Sequence, residues 1–75
     1  MLHLKVLSPE KVIVDEQNLD YVTIYTLEGE VTIYPGHLPY ISEIDNGYIK
    51  YKNEKILIEK AIVVLKENTI SILKK

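Results

Sequence analysis

Few side chains in this sequence could carry out nucleophilic chemistry. A catalytic serine needs a base within hydrogen-bond reach, and the serines Ser8, Ser42 and Ser71 have only His3 and His37 to activate them. No serine lies in the glycine-flanked elbow that exposes the nucleophile of many hydrolases. The sequence therefore predicts turn and surface roles for these residues, and no catalytic site.

Carboxylates occur in two close pairs, the arrangement that acid–base catalysis or metal binding would require. The pairs are Asp15 with Glu16 and Glu28 with Glu30. Acids cluster in this way on most soluble surfaces, and a metal site would need His37 to converge with them. We therefore expect solvated acids and no bound metal.

Glycine, cysteine and charge content narrow the function further. Gly29, Gly36 and Gly47 are too sparse to form a phosphate-binding loop, so no cofactor is expected. With no cysteine, neither a disulfide nor a thiolate-bound metal can stabilise the fold. The net charge of −2 disfavours nucleic acid as a partner. No apolar run approaches the roughly 18 to 20 residues that span a bilayer, and the N-terminus lacks a signal-peptide core, so we expect a cytoplasmic protein.

The elements that position these groups show an apolar period of two, which is typical of strands. Apolar residues alternate or cluster in short runs at 2–6, 12–14, 21–25, 31–33, 48–51, 56–58 and 70–72. Gly47 is expected to begin a strand, and the continuous apolar run 61–65 is expected to be buried on both faces. Turns are expected at 8–10, 35–39, 52–54 and 66–68.

Strands of about five residues with frequent turns predict an all-β fold, and no segment has the pattern of an amphipathic helix. At 75 residues the chain is long enough for one domain with a thin core. We therefore expect a single domain over residues 1–75, a flattened antiparallel β-sandwich of short strands.

One stretch concentrates the residues that control backbone geometry. It reads Glu28-Gly29-Glu30, then Ile33-Tyr34-Pro35-Gly36-His37, then Pro39. In register with it, residues 6–10 read Val-Leu-Ser-Pro-Glu, Gly47 precedes a predicted strand, and residues 68–73 read Asn-Thr-Ile-Ser-Ile-Leu. Over nearly the whole chain, these motifs resemble the N-terminal β-sandwich domain of the epsilon subunit of bacterial F-type ATP synthase.

The resemblance implies a non-catalytic rotor subunit of the central stalk. Such a subunit couples the gamma subunit to the membrane c-ring during proton-gradient-driven ATP synthesis. The expected location is the cytoplasmic face of the inner membrane, with peripheral attachment only through the complex.

The resemblance also assigns roles to individual residues. The gamma contacts fall on Ser8, His37 and Ser42. The contacts to the polar loops of the c-ring fall on Glu30 and Glu28. Structural turns fall on Gly29, Pro35, Gly36 and Pro39.

The sequence departs from the family pattern at several positions. Thr32 stands where the family usually has a glycine, and Lys60 and Ala61 stand where it usually has a glycine pair. Many members continue into a C-terminal helical hairpin that can inhibit ATP hydrolysis. This sequence ends at Lys75, so we expect no helical hairpin and no inhibition of that kind.

Three function classes stay open at the level of sequence, namely a rotor subunit, a carrier domain and an uncharacterised small enzyme, and the roles of His37 and of the tyrosines stay open as well. Glu59-Lys60-Ala61 resembles the modified-lysine hairpin of lipoyl or biotinyl carrier domains, although the carrier lysine sits on a tight turn and Lys60 precedes a predicted strand. His37 could either complete a local turn or contact gamma. The tyrosines on outward strand faces could either anchor an interface or cover a thin core.

Overall fold

The computed structural model describes residues 1–75 as seven strands without a helix. The period-two pattern is therefore confirmed as strand, and the irregular segment 34–39 separates the fourth strand from the fifth as expected. The strands are β1 (Leu2–Leu7), β2 (Val12–Leu19), β3 (Val22–Thr26), β4 (Gly29–Ile33), β5 (Tyr40–Tyr51), β6 (Glu54–Lys66) and β7 (Thr69–Lys74).

All seven strands belong to one continuous sheet in the order β2-β1-β7-β6-β5-β3-β4. Most neighbours pair antiparallel, but β1 and β7 pair parallel, from His3 opposite Thr69 to Leu7 opposite Leu73. The expectation of a purely antiparallel sheet is wrong at this one pair. Hairpin turns enforce antiparallel pairing only between strands adjacent in sequence, whereas the first and last strands meet through packing that periodicity does not encode.

The sheet forms a sandwich because β5 and β6 are long enough to run through two layers. Residues 40–45 of β5 pair with 60–65 of β6, beside β7, β1 and β2, and we call this the first layer. Residues 47–51 of β5 pair with 54–58 of β6, beside β3 and β4, and we call this the second layer. The molecule measures 27 × 26 × 23 Å. Its smallest dimension exceeds the about 10 Å that separates two stacked sheets, so the sheet is folded into two layers and is not flat.

Gly47 lies at the bend between the two halves of β5, so the expectation that it begins a strand is wrong. A Cβ at this position would lie 2.2 Å from the carbonyl oxygen of Tyr25 and 2.9 Å from a side-chain carbon of Ile44. The glycine thus permits β3 to pass close to β5, a use that glycine often has inside strands.

The core lies between the layers and contains 17 buried apolar residues from all seven strands. The first layer contributes residues such as Leu4, Val63 and Ile72, and the second layer residues such as Ile24 and Ile49. The run 61–65 alternates between buried and half-buried positions and belongs to the longer strand β6. Burial on both faces was therefore the wrong interpretation, because a sandwich covers only one face of each layer.

Candidate functional site

The carboxylate of Glu28 accepts hydrogen bonds from two side chains of β5. Its Oε1 accepts from the hydroxyl of Tyr40, at 2.9 Å, and from the hydroxyl of Ser42. The hydroxyl of Thr26, on Glu28's own hairpin, lies 3.3 Å away. Hydrogen bonding by Ser42, and next by Tyr40, holds the pKa of Glu28 below its usual value of 4.5. The structure thus joins one residue assigned to gamma directly to one assigned to the c-ring.

A two-residue turn between β3 and β4 places Glu28 at this position. Gly29 follows the turn with a φ of 103°, which glycine adopts at little cost. The N–H of Glu28 donates to the hydroxyl of Thr26 at 3.1 Å, and the N–H of Leu27 donates to the carbonyl of Glu43 at 2.9 Å. The tip of the hairpin therefore lies along the edge of the first half of β5.

Glu30, the second acid assigned to the c-ring, faces a different side of the molecule. Its carboxylate accepts a hydrogen bond of 2.5 Å from the hydroxyl of Tyr48, and the Nζ of Lys50 lies 4.0 Å away. This hydrogen bond raises the pKa of Tyr48. Glu30 is exposed, so its charge is available at the surface while a neighbouring ring fixes its orientation.

Four tyrosines cover the outer side of the second layer, and we call this surface the aromatic face. The rings of Tyr25 and Tyr48 stack with centroids 5.3 Å apart, and those of Tyr21 and Tyr34 meet at 6.1 Å. The Nζ of Lys55 lies 4.6 Å above the ring of Tyr48, within the range of a cation–π interaction. The rings on this face thus contact one another in pairs.

Six aliphatic residues stand on the outer side of the first layer, and we call this surface the apolar face. Cross-strand pairing places them in two adjacent rows, and no aromatic residue joins them. Half of them are exposed and half are partly buried. They are Leu7, Val12, Ile41, Ile62, Val64 and Leu73.

His37 lies in the turn between β4 and β5. Pro35 and Gly36, with a φ of 85° at Gly36, form the centre of a turn that the N–H of His37 closes onto the carbonyl of Tyr34 at 3.2 Å. This is the type II pattern, with proline and then glycine at its two central positions. The Nδ1 of His37 donates to the carbonyl of Leu38 at 2.7 Å. The local role is therefore present, and the imidazole is exposed.

Asn68 holds this turn to the first layer. Its Oδ1 accepts from the N–H of Gly36 at 2.8 Å, and its carbonyl accepts from the N–H of His3 at 2.9 Å. Asn68 and Glu67 both have positive φ values, 63° and 50°, as a two-residue type I′ hairpin turn requires. The closing motif that begins at Asn68 therefore fixes the loop that carries His37.

Ser8 lies at the opposite end of β1 from the turn of His37. Its hydroxyl lies 3.2 Å from both the N–H and the carbonyl of Lys11, so it closes the turn between β1 and β2. The N-terminal end of β1, at His3, adjoins Asn68, and five residues at about 3.3 Å each separate His3 from Ser8. The residues assigned to gamma do not cluster: Ser8 and His37 lie at two ends of the first layer, and Ser42 is buried.

Lys60 lies within β6, opposite Asp45, and its carbonyl accepts a hydrogen bond from the backbone of Lys75. A carrier lysine must stand at the tip of a turn to be modified, so the carrier reading is not favoured.

The hydroxyl of Ser8 bonds within its own turn and that of Ser42 bonds Glu28, so neither is paired with a histidine. His3 instead bonds Asp15 at 2.5 Å, and no three acids and histidines converge as metal ligands. The chain contains no helix that could cross a membrane.

Sequence reasoning missed the partners that orient these residues, namely Tyr40, Tyr48 and Asn68. Asn68 was expected in the turn 66–68, which fits the tolerance of asparagine for positive φ, but its bond to Gly36 was not expected. The bonds of Asn68, Tyr40 and Tyr48 join residues 32, 12 and 18 positions apart in sequence, which only the folded sheet brings together.

Comparison with known proteins gives one consistent result. The sequence model of the family described as "ATP synthase, Delta/Epsilon chain, beta-sandwich domain" matches residues 1–75. The ATP synthase epsilon chain of Carboxydothermus hydrogenoformans is 34% identical over 76 residues, which cover 96% of this chain and 56% of that protein. The ATP synthase epsilon chain of Lawsonia intracellularis is 32% identical, with the same coverage. The chain thus spans about half the length of the curated relatives it matches.

Solved structures share the fold. A chain of the central stalk and c-ring structure of Tetrahymena thermophila mitochondrial ATP synthase superposes with a TM-score of 0.80 at 16% identity, covering 96% of this chain and 61% of that one. A chain of the Euglena gracilis mitochondrial ATP synthase gives 0.79 at 18% identity, covering 97% and 49%. At these identities the similarity establishes the sandwich architecture.

Proposed function

The chain belongs to the ATP synthase delta/epsilon beta-sandwich family, and we propose that it is a non-catalytic rotor subunit of the central stalk of an F-type ATP synthase. The observation that carries this proposal is the family match over residues 1–75. In this role the chain joins the gamma subunit to the c-ring, so that rotation driven by a proton gradient reaches the catalytic subunits. It would sit at the cytoplasmic face of the membrane as part of the F1 sector.

The apolar face is the surface that we assign to gamma. It lies on the layer between Ser8 at one end and the loop of His37 at the other, so both residues border it. Covering this aliphatic surface would supply the affinity, because buried apolar area contributes about 25 cal/mol per Å² before the costs of association. Ser8 and His37 would add polar contacts at the rim of the interface.

The c-ring contact is assigned to Glu30 in preference to Glu28. Glu30 is exposed and its carboxylate faces outward beside Tyr48 and Lys50. A basic residue on a c-ring loop could pair with it, and such a pair at a hydrated rim contributes about 0.2 to 1 kcal/mol. Glu30 would therefore direct orientation more than hold the complex together. Glu28 is exposed as well, but its carboxylate already accepts from two hydroxyls of β5, one of them on the buried Ser42.

A rotor subunit must transmit torque without deforming, and the sheet is suited to that task. Of 45 backbone hydrogen bonds, 40 lie within the strand ladders, so little of the chain is free to yield. The loops are also short, since the longest segment between strands is residues 34–39.

Titration of the chain with the gamma subunit of the same organism, read by calorimetry and by co-elution, tests the proposal. We expect a one-to-one complex of micromolar affinity or tighter, about −8 kcal/mol. The titration should reach about 100 µM of each protein, roughly one hundredfold above that Kd. No binding at this concentration would reject the rotor role while leaving the family and fold intact. Intact mass after expression with a lipoyl or biotinyl ligase is the control, and no adduct on Lys60 is expected.

A further inference from the structure

We propose that Glu28 is a positioning residue, a latch that holds the β3–β4 hairpin against the first half of β5. The surface around Glu30 and the apolar face would then move as one body. The latch consists of the Glu28 carboxylate and the hydroxyls of Tyr40 and Ser42. In its link between the two surfaces, the inference rests on the function proposed above. The latch itself depends only on the geometry of this chain.

Apart from the latch, few contacts fasten the tip of the hairpin to this part of the sheet, and the only other side-chain hydrogen bond is a 3.4 Å contact between the hydroxyls of Thr26 and Tyr40. Regular pairing between β3 and β5 covers only Thr23 with Lys50 and Ile24 with Ile49. Beyond Ile24 the two strands separate, and a single backbone bond, from Leu27 to Glu43, reaches across at the tip. The Glu28 carboxylate adds two charge-assisted hydrogen bonds there, which are roughly twice as strong as neutral ones.

The strand on the other side of the latch carries part of the apolar face. Tyr40 and Ser42 flank Ile41 in β5, and side chains of a strand alternate between its two sides. Ile41 therefore points to the apolar face while its two neighbours point to Glu28, and 74% of its surface is exposed. The hairpin that carries Glu30 is thus tied to the strand that carries Ile41.

The latch also covers an open sheet edge. Residues 40–45 of β5 pair with β6 on one side only, and an unpaired edge invites pairing with other chains. The hairpin tip occupies this position, and the buried hydroxyl of Ser42 has its partner in Glu28. Glu28 and Glu30 are both exposed, but the carboxylate of Glu28 is bonded to the first half of β5, whereas that of Glu30 is bonded to Tyr48 in the second half.

Amide hydrogen exchange of the free chain tests the latch without any partner. We expect Glu28→Ala to speed exchange of the Leu27 N–H at least tenfold, and Glu28→Gln to speed it less, because glutamine keeps an acceptor but loses the charge. Glu30→Gln, the neighbouring acid of the same hairpin, is the matched control and should leave Leu27 unchanged. The N–H of Val63, in the central strand β6, reports whether the fold is intact.

A double variant shows whether the two groups act through one bond. In the background of Glu28→Ala, the further change Ser42→Ala should not speed exchange at Leu27 again, since its partner is already absent. Unchanged Leu27 exchange in Glu28→Ala, with Val63 protected as in the wild type, would overturn the latch. Equal acceleration by Glu28→Ala and Glu30→Gln would overturn it as well.

Binding of solubilised c-ring, with and without saturating gamma, tests the link between the surfaces. We expect gamma to tighten c-ring binding about fivefold or more, and Glu28→Ala to bring this ratio close to one. Glu30→Gln should weaken both measurements by the same factor and keep the ratio. An unchanged ratio in Glu28→Ala would reject the coupling. If the wild type binds neither partner, the proposed function fails, and amide exchange alone decides on the latch.

Discussion

The outer surfaces of the two layers differ in a way that their burial alone does not reveal. The aromatic face closes on itself, with Tyr25 stacked on Tyr48, Tyr21 against Tyr34, and the hydroxyls of Thr23 and Thr32 3.0 Å apart. The aliphatic side chains of the apolar face form neither ring pairs nor hydrogen bonds with one another. Burial of their exposed surface by a partner is therefore what would stabilise them further.

This difference bears on which surface a partner covers. Exposed aromatic rings are common anchors of interfaces, so the sequence left two roles open for the outward tyrosines: anchoring a partner or covering a thin core. In the structure those rings already have partners, and Lys55 lies over one of them. This difference favours a role for the aromatic face in shielding a thin core, and it supports the proposal that a partner covers the apolar face.

The largest expected effect comes from placing a charge on the apolar face. Leu73 lies between Leu7 and Ile62 in the row across β1, β7 and β6, and 40% of its surface is exposed. Leu73→Glu should weaken gamma binding by about 3 kcal/mol, because an interface would bury the carboxylate without a partner. Calorimetry with purified gamma measures this loss, and a thermal melt shows whether the fold persists.

The comparison needs a matched change on the other face. Tyr25→Ala removes a ring that is 42% exposed, and we expect gamma affinity to stay within about 0.5 kcal/mol of the wild type. If Tyr25→Ala weakens binding as much as Leu73→Glu does, the assignment of the two faces is reversed.

The next effect concerns the bend that joins the layers. Gly47→Ala would force a methyl group to within 2.2 Å of the Tyr25 carbonyl oxygen, so β3 or β5 must shift. We expect unfolding free energy to fall by about 2 to 3 kcal/mol, as measured by urea denaturation. Asp45→Ala, an exposed residue of the same bend, serves as the control and should change stability by less than about 0.5 kcal/mol. Equal stability of the two variants would mean that the bend accommodates a side chain.

A smaller effect measures how strongly the aromatic face holds itself together. A double-mutant cycle with Tyr25→Leu and Tyr48→Leu should give a coupling energy of about 0.5 to 1.5 kcal/mol between the two rings. The unfolding free energies of the wild type, both single variants and the double variant supply the measurement. Additive losses would show that the rings lie side by side without mutual stabilisation, and that they remain free to anchor a partner.

The sequence predicted the elements far better than their arrangement. Alternation of apolar residues found the strands, and Pro35-Gly36 marked a turn that the structure confirms, with a φ of 85° at Gly36, because both signals are local. The parallel pairing of β1 with β7 and the bend at Gly47 depend on where strands meet in space. For Gly47, the signal was present in the form of a glycine inside an alternating run, but it was read as a boundary.

The same distinction between local and long-range signals holds for the candidate site. The motif around Glu28 and Glu30 identified two acids of interest, yet it gave both the same role. Their difference follows from which side of the hairpin each one occupies and from partners distant in sequence, Ser42 for Glu28 and Tyr48 for Glu30. A spacing of two residues would place both on one side of a regular strand. Glu28, however, precedes β4 and lies in the turn, so that alternation does not apply to it.

The smallest expected effect is a pH dependence of stability that arises from Glu28. Hydrogen bonds from Ser42 and Tyr40 lower the pKa of Glu28 from 4.5 in the folded state. The bonds therefore stabilise the fold fully above the unfolded pKa, and this contribution is lost as the pH falls through the folded pKa. Thermal melts from pH 7 to pH 3 should show the wild type more stable than Glu28→Gln by a constant margin above about pH 5, shrinking below pH 4.5. A margin that stays constant down to pH 3 would contradict the stabilisation of the charged carboxylate by these bonds.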